Sequence, residues 1–271
     1  MQKEEVKVCI LRIEGTNCEA ETWRAFRECG AQAEIVHLKQ IEGRCTPSLR
    51  RDLEDYHILL IPGGFSAGDY IRAGAIFAAR LRGISNKINK FIDEGKLIGG
   101  ICNGFQVLVE LGLIPGFDNC VQAAPDAVLN INDSVRFECR HIFLKTETPG
   151  RCAFTQGYTE GGIYCLPVAH AEGKFIPSSQ KVLDQMIANR QILFRYCTPD
   201  GDIDPPYPYN PNGSTLSIAG VCNIAGTVIG MMPHPERAFF SYSNPGLGCN
   251  RGRMDGRPFF ESAIRYICKA F

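Results

Sequence analysis

The sequence predicts an α/β fold: a single domain around a central, mostly parallel sheet that is flanked by helices. Two observations lead to this prediction: the spacing of the apolar residues, and the length and hydrophobic content of the chain. In the first half of the chain, short runs rich in Val, Ile and Leu alternate with segments whose apolar residues recur at helical spacing. This alternation is typical of βαβ units, whose strands pair in parallel. The chain has 271 residues, 45% of them hydrophobic, which is enough to bury a sizeable core.

The first half contains four strand-like runs that are bounded by turn residues, at 6–13, 33–38, 57–61 and 97–101. A helical pattern over residues 19–30 ends at Gly30, and glycine commonly terminates helices. Residues 74–95 predict one or two helices, interrupted near Gly83 and Ser85.

The second half is richer in strands, which are predicted at 141–145, 163–169, 191–197, 217–222 and 227–232. Helices are predicted at 179–189 and, as an amphipathic tail, at 259–271. The segment TPDGDIDPPYPYNPNGS is rich in Pro and Asn and predicts a loop. Because no repeat or linker-like tract divides the chain, residues 1–271 are predicted to form one domain.

The residue composition of the chain limits the classes of ligand that are expected. Lys plus Arg and Asp plus Glu both total 29, so the net charge is zero and no basic surface for nucleic acid or membrane is predicted. The apolar run at the N-terminus is too short for a signal peptide or a membrane span. The 13 cysteines are odd in number and irregularly spaced, so a reducing, cytoplasmic location is expected rather than a disulfide framework. The expected ligand is a small molecule or another protein.

A candidate nucleophile lies in the stretch KLIGGICNGFQVLVELG, where a strand-like run meets a helical pattern. Cys102 is flanked by Gly100 and Gly104, which gives G-x-C-x-G, the thiol counterpart of the G-x-S-x-G nucleophile elbow. A sulfur at a helix N-terminus lies near unpaired N–H groups and the positive end of the dipole, which favours the thiolate. The amide of Asn103 would point at a developing oxyanion. The alternative is a buried structural cysteine.

His234 is the candidate base for this thiol. It lies in MMPHPERAFF, after an apolar run and before a predicted helix, and the prolines on both sides restrict its backbone. Glu236 is placed to accept a hydrogen bond from Nδ1 and leave Nε2 free for the thiol. The alternative is a proline-set helix start in which Glu236 only favours the helix dipole.

Two further segments have local patterns that could indicate a binding site. His170, in PVAHAEGKF, also ends a strand-like run and is the weaker candidate, with a substrate-contacting loop and a plain turn equally open. The segment RIEGTNCEAET follows the first strand but matches neither G-x-G-x-x-G nor G-x-x-x-x-G-K. Thr16 or Asn17 as a helix N-cap explains it, so no nucleotide site is predicted on this chain.

Taken together, GGICNGFQVLVELGLIPG and MMPHPERAF resemble the class I (triad) glutamine amidotransferases. The stretches IPGGFSAGDYIRAGAIFAA, RFECRH, VAHAEGKF and DGRPFFESAIRY are similar to the glutaminase subunits of phosphoribosylformylglycinamidine synthases, which act in purine biosynthesis. The resemblance covers nearly the whole chain and implies a flavodoxin-like α/β domain. Ala67 and Ala171 depart from the family pattern at positions that bear on loop shape.

The resemblance also implies residue roles. Cys102 would form a γ-glutamyl thioester, His234 would protonate the departing ammonia and later activate water, and Glu236 would orient His234. The oxyanion would lie between the backbone amides of Asn103 and of the PGGF turn, at Gly64 or Phe65.

Gly63 and Gly64 would allow the close backbone approach that an oxyanion hole needs. Gln106 matches a family position that contacts glutamine, and His170 is carried as a substrate-binding candidate. No metal ligand is expected.

The family reaction requires partners. This chain would hydrolyse glutamine and pass ammonia to a separate synthetase subunit, which converts formylglycinamide ribonucleotide to the amidine; family precedent adds a small accessory subunit. No cofactor is expected on this chain, while ATP and Mg²⁺ are expected on the synthetase. The alternatives are an amidotransferase subunit of another synthase, another Cys-His amide hydrolase, or a catalytically silent assembly subunit.

Overall fold

The computed structural model describes residues 1–243 and 252–271. The strands of this part of the chain are β1 (Lys7–Arg12), β2 (Gln32–His37), β3 (Ile58–Ile61), β4 (Leu97–Ile101), β5 (Ala127–Asn130), β6 (Glu138–Thr146), β7 (Ile163–His170), β8 (Lys174–Pro177), β9 (Ile192–Cys197), β10 (Ile218–Cys222) and β11 (Val228–Met231). The α-helices are α1 (Glu19–Glu28), α2 (Leu38–Ile41), α3 (Ala75–Leu81), α4 (Ser85–Asp93), α5 (Asn103–Glu110), α6 (Gln180–Ala188) and α7 (Arg257–Ala270).

Nine strands form one sheet in the order β2-β1-β3-β4-β11-β10-β9-β6-β7. The first five are all parallel to their neighbours, and the order 2-1-3-4 is that of the flavodoxin-like sheet, with β11 as the fifth strand. The strands from β10 onward extend the sheet through antiparallel pairs. The predicted α/β class with a central parallel sheet is confirmed.

The sheet curls, so that its last strand returns to its centre. β7 lies five positions from β4 in strand order, yet the carbonyl oxygen of Ala169 in β7 is 3.5 Å from Sγ of Cys102, which follows β4. The backbone N–H of His234, after β11, donates to the carbonyl oxygen of Pro167 in β7 at 2.9 Å. The curl therefore brings the carboxyl end of β7 to the same place as those of β4 and β11.

The structure confirms some of the predicted elements and corrects others. The region 74–95 is indeed divided, because the 3₁₀ turn Arg82–Ile84 separates α3 from α4. The short strands β5 and β8, which pair with each other outside the main sheet, were not predicted. The helix predicted after His234 is a single 3₁₀ turn, Pro235–Ala238. The predicted loop at 198–214 is irregular along most of its length.

The structure also shows the character of the helices and the state of the cysteines. Among residues 1–243 and 252–271, no helix combines the length and the apolar character needed to cross a membrane. Within the same residues 11 cysteines are free thiols, and Cys165 is disulfide-bonded.

The backbone of α5 lies in close contact with the backbones of β3 and β4. Seven of the eight residues of this helix are buried. A Cβ atom at Gly104 would overlap the carbonyl oxygen of Ile61 at the end of β3, and one at Gly100 would lie 2.5 Å from the carbonyl oxygen of Gly104. Glycine at these two positions therefore lets α5 turn back directly over β3 and β4.

This contact predicts the effect of one methyl group. The change Gly104→Ala places a carbon against a backbone oxygen that cannot rotate away, and it should lower the free energy of unfolding by about 3 kcal/mol. Urea titration measures this loss. Gly83→Ala is the matched control, because nothing lies within 4 Å of its Cβ position, and it should change stability by less than about 0.5 kcal/mol. Equal stability of the two variants would contradict the proposed contact.

Candidate active site

The site lies at the carboxyl ends of the parallel strands, where ligands bind in open α/β sheets. β4 and β11 pair in parallel with Ile101 opposite Met231, so the segments that follow them start side by side. The N–H of Cys102 donates to the carbonyl oxygen of Met231 at 2.8 Å. Strand pairing thus brings Cys102 and His234, which are far apart in sequence, to one edge.

Cys102 has the strained backbone expected of a nucleophile elbow. It is the N-cap of α5 and has φ 52° and ψ −107°, a conformation that L residues rarely adopt. Such a conformation costs on the order of 1–3 kcal/mol and persists only where surrounding contacts enforce it. The side chain is 5% exposed, at the mouth of two cavities described below.

His234 and Glu236 form a buried pair. Nδ1 of His234 lies 2.5 Å from Oε1 of Glu236, and both side chains are almost fully buried. Because a carboxylate accepts, Nδ1 carries the proton and Nε2 is the atom left for chemistry. Nε2 makes no hydrogen bond of good geometry within the described residues.

Two thiols face the His234 ring. A Cβ atom placed on Gly63 would lie 2.7 Å from Cε1 of His234, 3.2 Å from Sγ of Cys18 and 3.4 Å from Cβ of Cys102, so all three side chains surround this glycine. Burial disfavours the imidazolium, but the Glu236 carboxylate, Cys102 and Cys18 outweigh it and raise the pKa of His234 well above its ordinary value. The imidazole is thus suited to take a proton from a thiol and keep it.

The backbone hydrogen bonds reduce the number of N–H groups that could form the predicted oxyanion hole. The N–H of Phe65 donates to the carbonyl oxygen of Gly15 at 2.8 Å and is therefore already used. Within the described residues, no bond is formed by the N–H of Gly64 or by that of Asn103, the first residue of α5. Gly64 and Asn103 are the two amides left for an oxyanion beside Cys102, while Gly63 makes room for the His234 ring.

The segment 13–18, predicted to be only a helix start, is a wall of this site. The N–H groups of Asn17 and Cys18 donate to the carbonyl oxygen of Gly63 at 3.2 and 3.1 Å and hold the glycine turn in place. The predicted N-cap, Thr16 or Asn17, is wrong: Cys18 is the N-cap of α1. Arg237 donates to Sγ of Cys18 at 3.1 Å.

Gln106 is buried one turn into α5 and is held by its neighbours. Its Oε1 accepts from Nδ2 of Asn103 at 2.9 Å, and its Nε2 donates to the carbonyl oxygen of Glu172 at 2.6 Å. The residue lines a cavity with Cys102, so contact with a substrate stays a prediction that the geometry permits.

The protonation of His170 follows from its partner, Asn132. Nδ2 of Asn132 donates to two carbonyl oxygens, those of Arg136 and His170, so its Oδ1 must face Nδ1 of His170 at 3.1 Å and the N–H of Gly173 at 3.0 Å. His170 therefore donates from Nδ1. Burial first, and repulsion by His234 second, lower the pKa of His170 to about 3, so Nε2 is a neutral acceptor. No described residue bonds to it.

Cys102 lies between two cavities. One, of about 30 Å³, is lined by Asp69, Gln106, His170 and Glu172. The other, of about 220 Å³, is mostly apolar and is lined on the opposite side by Asn17, Cys18, Cys139, His234 and Arg237. Phe65 and Phe137, whose rings are 6.1 Å apart, border both.

One group of described residues has metal-binding donors close together. The ligand atoms of Cys18, His234 and Glu236 all lie within 4.8 Å of one another. Nδ1 of His234 is already bonded to Glu236, however, and an ion would have to compete with that bond. The expectation of no metal stays a prediction.

Comparison with known proteins places the chain among close relatives. Residues 5–267 match the model of the CobB/CobQ-like glutamine amidotransferase domain. A protein of Archaeoglobus fulgidus named phosphoribosylformylglycinamidine synthase subunit PurQ is 50% identical over 99% of this chain and 100% of its own length. A protein of the same name from Picrophilus torridus is 44% identical over 94% of this chain and 96% of its own length. Among solved structures, one described as PurLQS from Thermotoga maritima matches with a TM-score of 0.73 and 30% identity, covering 97% of this chain and 99% of that one.

The pairing of His234 with Cys102 predicts thiol reactivity. In His234→Ala, alkylation of Cys102 by iodoacetamide should slow about 10- to 100-fold, because an adjacent cation that favours the thiolate is lost. The difference should be largest below about pH 8, where an ordinary thiol is mostly protonated.

Mass-spectrometric mapping of the adduct measures this rate separately for each cysteine. Partly exposed Cys45, which lines neither cavity, is the internal control and should react equally in both proteins. An unchanged rate at Cys102 would show that His234 does not act on the sulfur.

Proposed function

Because the chain belongs to the CobB/CobQ-like glutamine amidotransferase family, we propose that it is the glutaminase subunit of a phosphoribosylformylglycinamidine synthase. The full-length identity of 50% to a subunit of that name supports the assignment. The observation that carries the chemistry is the meeting of Cys102, His234 and Glu236 at one edge of the sheet.

The first half of the reaction is acylation. Sγ of Cys102 attacks the carboxamide carbon of glutamine while its proton passes to Nε2 of His234, and the carbonyl electron pair moves onto oxygen. The N–H groups of Gly64 and Asn103 stabilise that oxyanion. When the intermediate collapses, the C–N bond breaks, His234 returns the proton to nitrogen, and ammonia leaves a γ-glutamyl thioester on Cys102.

The second half is hydrolysis. Water attacks the thioester as His234 takes its proton. The C–S bond then breaks, His234 returns the proton to Sγ of Cys102, and glutamate is released. Glu236 touches no reacting atom; it orients the ring and stabilises the imidazolium that forms in both halves.

The ammonia serves a partner. In neutral water ammonia becomes ammonium and loses its nucleophilic electron pair, so it has to be passed directly to the synthetase subunit. The similarity to a PurLQS structure supports a complex with a synthetase and a small accessory subunit. In this proposal ATP and Mg²⁺ act on the synthetase, no cofactor or metal acts on this chain, and the complex works in the cytoplasm.

The surface around the site favours such docking. Large apolar side chains are exposed at the rim of the cavities and on the segments next to it: Phe65 by 48%, Ile71 by 87%, Val135 by 78% and Phe137 by 48%. Exposed apolar groups at the rim of a site are typical of a protein interface. A partner that covers this rim would also keep ammonia from water.

The proposed function predicts that one mutation can abolish glutamine-dependent synthesis and leave ammonium-dependent synthesis intact. In a complex with the synthetase, Cys102→Ala should lower glutamine-dependent synthesis by at least about 10³-fold, because no thioester can form. Added ammonium should still support synthesis at the wild-type rate. Cys45→Ala, at a cysteine that lines neither cavity, is the matched control and should change neither activity.

Product assays distinguish the alternatives. A silent assembly subunit would show no loss with Cys102→Ala. Stimulation of glutamine hydrolysis by a synthetase of another pathway, and not by this one, would favour a different amidotransferase.

A further inference from the structure

Cys18 is a buried thiol to which the proposed reaction gives no role. Its side chain is 1% exposed, and Nη2 of Arg237 donates to its Sγ at 3.1 Å. The same sulfur lies within 4.8 Å of a ring nitrogen of His234 and of a carboxylate oxygen of Glu236. Thiolate sulfur and imidazole nitrogen are the ligands that zinc-class ions prefer in proteins.

The sulfur of Cys102 faces the same imidazole ring. Cys102 and Cys18 are both within hydrogen-bond reach of His234, and all three residues line the larger cavity. Nε2 of His234 is buried and forms no hydrogen bond of good geometry within the described residues. Two sulfur atoms and a buried nitrogen without a partner therefore border one space, and that space has room for an ion and a water molecule.

We propose that Cys18, Cys102 and His234 form an inhibitory site for a zinc-class divalent cation, which binds to the two sulfur atoms and to Nε2. A water molecule in the cavity would complete the four ligands. The ion is an inhibitor and not a cofactor, because it occupies both the nucleophile and the base. The inhibition rests on the function proposed above, whereas the binding does not. The proposal departs from the sequence-based expectation that the chain has no metal ligand.

Binding through Nε2 leaves the pair of His234 and Glu236 intact. The N–H at Nδ1 stays on Oε1 of Glu236, so the ion does not compete with that hydrogen bond. A histidine that binds zinc almost always donates its other N–H to a carboxylate or a carbonyl oxygen, which fixes the ring and makes the free nitrogen more basic. The catalytic pair already has this arrangement.

The charges around the site match those of a doubly charged ion. The protons on the two thiols and on Nε2 leave to solvent when the metal binds, so both cysteines become thiolates. Glu236 adds one more negative charge and Arg237 one positive charge, and with the ion present the charges cancel. This balance matters because an uncompensated charge is costly in a buried site.

The distances permit such a site after small side-chain movements. Bonds of about 2.3 Å to sulfur and about 2.0 Å to nitrogen place the ligand atoms of a tetrahedral zinc site about 3.5 Å apart. The separations around Cys18 are at most 4.8 Å. Hard ions such as Mg²⁺ should not compete, because they prefer oxygen ligands.

Metal binding is tested on the full chain without any measurement of activity. Zn²⁺ should slow the alkylation of both Cys18 and Cys102 by iodoacetamide, as mapped by mass spectrometry, while Mg²⁺ should have no effect. Co²⁺ should give the visible absorption of a tetrahedral, thiolate-bound ion, and excess Zn²⁺ should remove it. These measurements use the wild-type protein, so they do not depend on the folding of a variant.

Inhibition is tested in the complex with the synthetase, as glutamate formed from glutamine. Cys18→Ser should raise the Zn²⁺ concentration for half-inhibition at least about 100-fold, because loss of an outer partner alone costs about 10- to 100-fold in affinity. Each protein is compared with its own rate without zinc. Cys139→Ser is the matched control, because Cys139 lines the same cavity but is not among the clustered donors, and it should keep the wild-type inhibition.

Two results would overturn the inference: equal inhibition of the wild-type protein and Cys18→Ser by zinc, or alkylation of Cys18 and Cys102 at an unchanged rate in saturating zinc. If zinc protects both thiols but the complex forms no glutamate in the absence of zinc, the metal site stands and the proposed function is wrong.

Discussion

The parallel pairing of β4 with β11 is the interaction on which the site depends. It sets Ile101 beside Met231, and the next residues of each strand leave the sheet together. The missing side chain of Gly104 then lets α5 begin directly over Ile61, with Cys102 in a strained turn. A side chain at this glycine, or a shift of one residue in the strand register, would separate the thiol from the imidazole.

Burial disfavours the charged form of both histidines of the site, and their different partners decide which one becomes charged. His234 has a carboxylate at 2.5 Å, so the charged ring is stabilised although it is enclosed. His170 is equally enclosed but faces an amide, so it stays neutral. The same residue type thus supplies a proton carrier on one side of Cys102 and a fixed acceptor on the other.

Much of this could be read from the sequence because the signals were local. The G-x-C-x-G turn, the proline-flanked His234 and the strand-like runs of the first half each reflect a constraint that acts within a few residues. β5 and β8 have only four residues each and depend on each other, so no local pattern revealed them. Asn17, Cys18, Asp69 and Glu172 were missed as parts of the site because loop folding and the curl of the sheet bring them to Cys102, and neither leaves a periodic signal.

Two cavities meet at Cys102, and their positions bear on the sides from which molecules can approach its sulfur. In the proposed reaction, the departing ammonia and the attacking water both exchange a proton with His234, which lines the larger cavity. Water that completes the cycle would therefore meet the thioester on the side from which ammonia left. A partner that covers Phe137 and Cys139, which both line this cavity, would confine the two molecules to the same enclosed space.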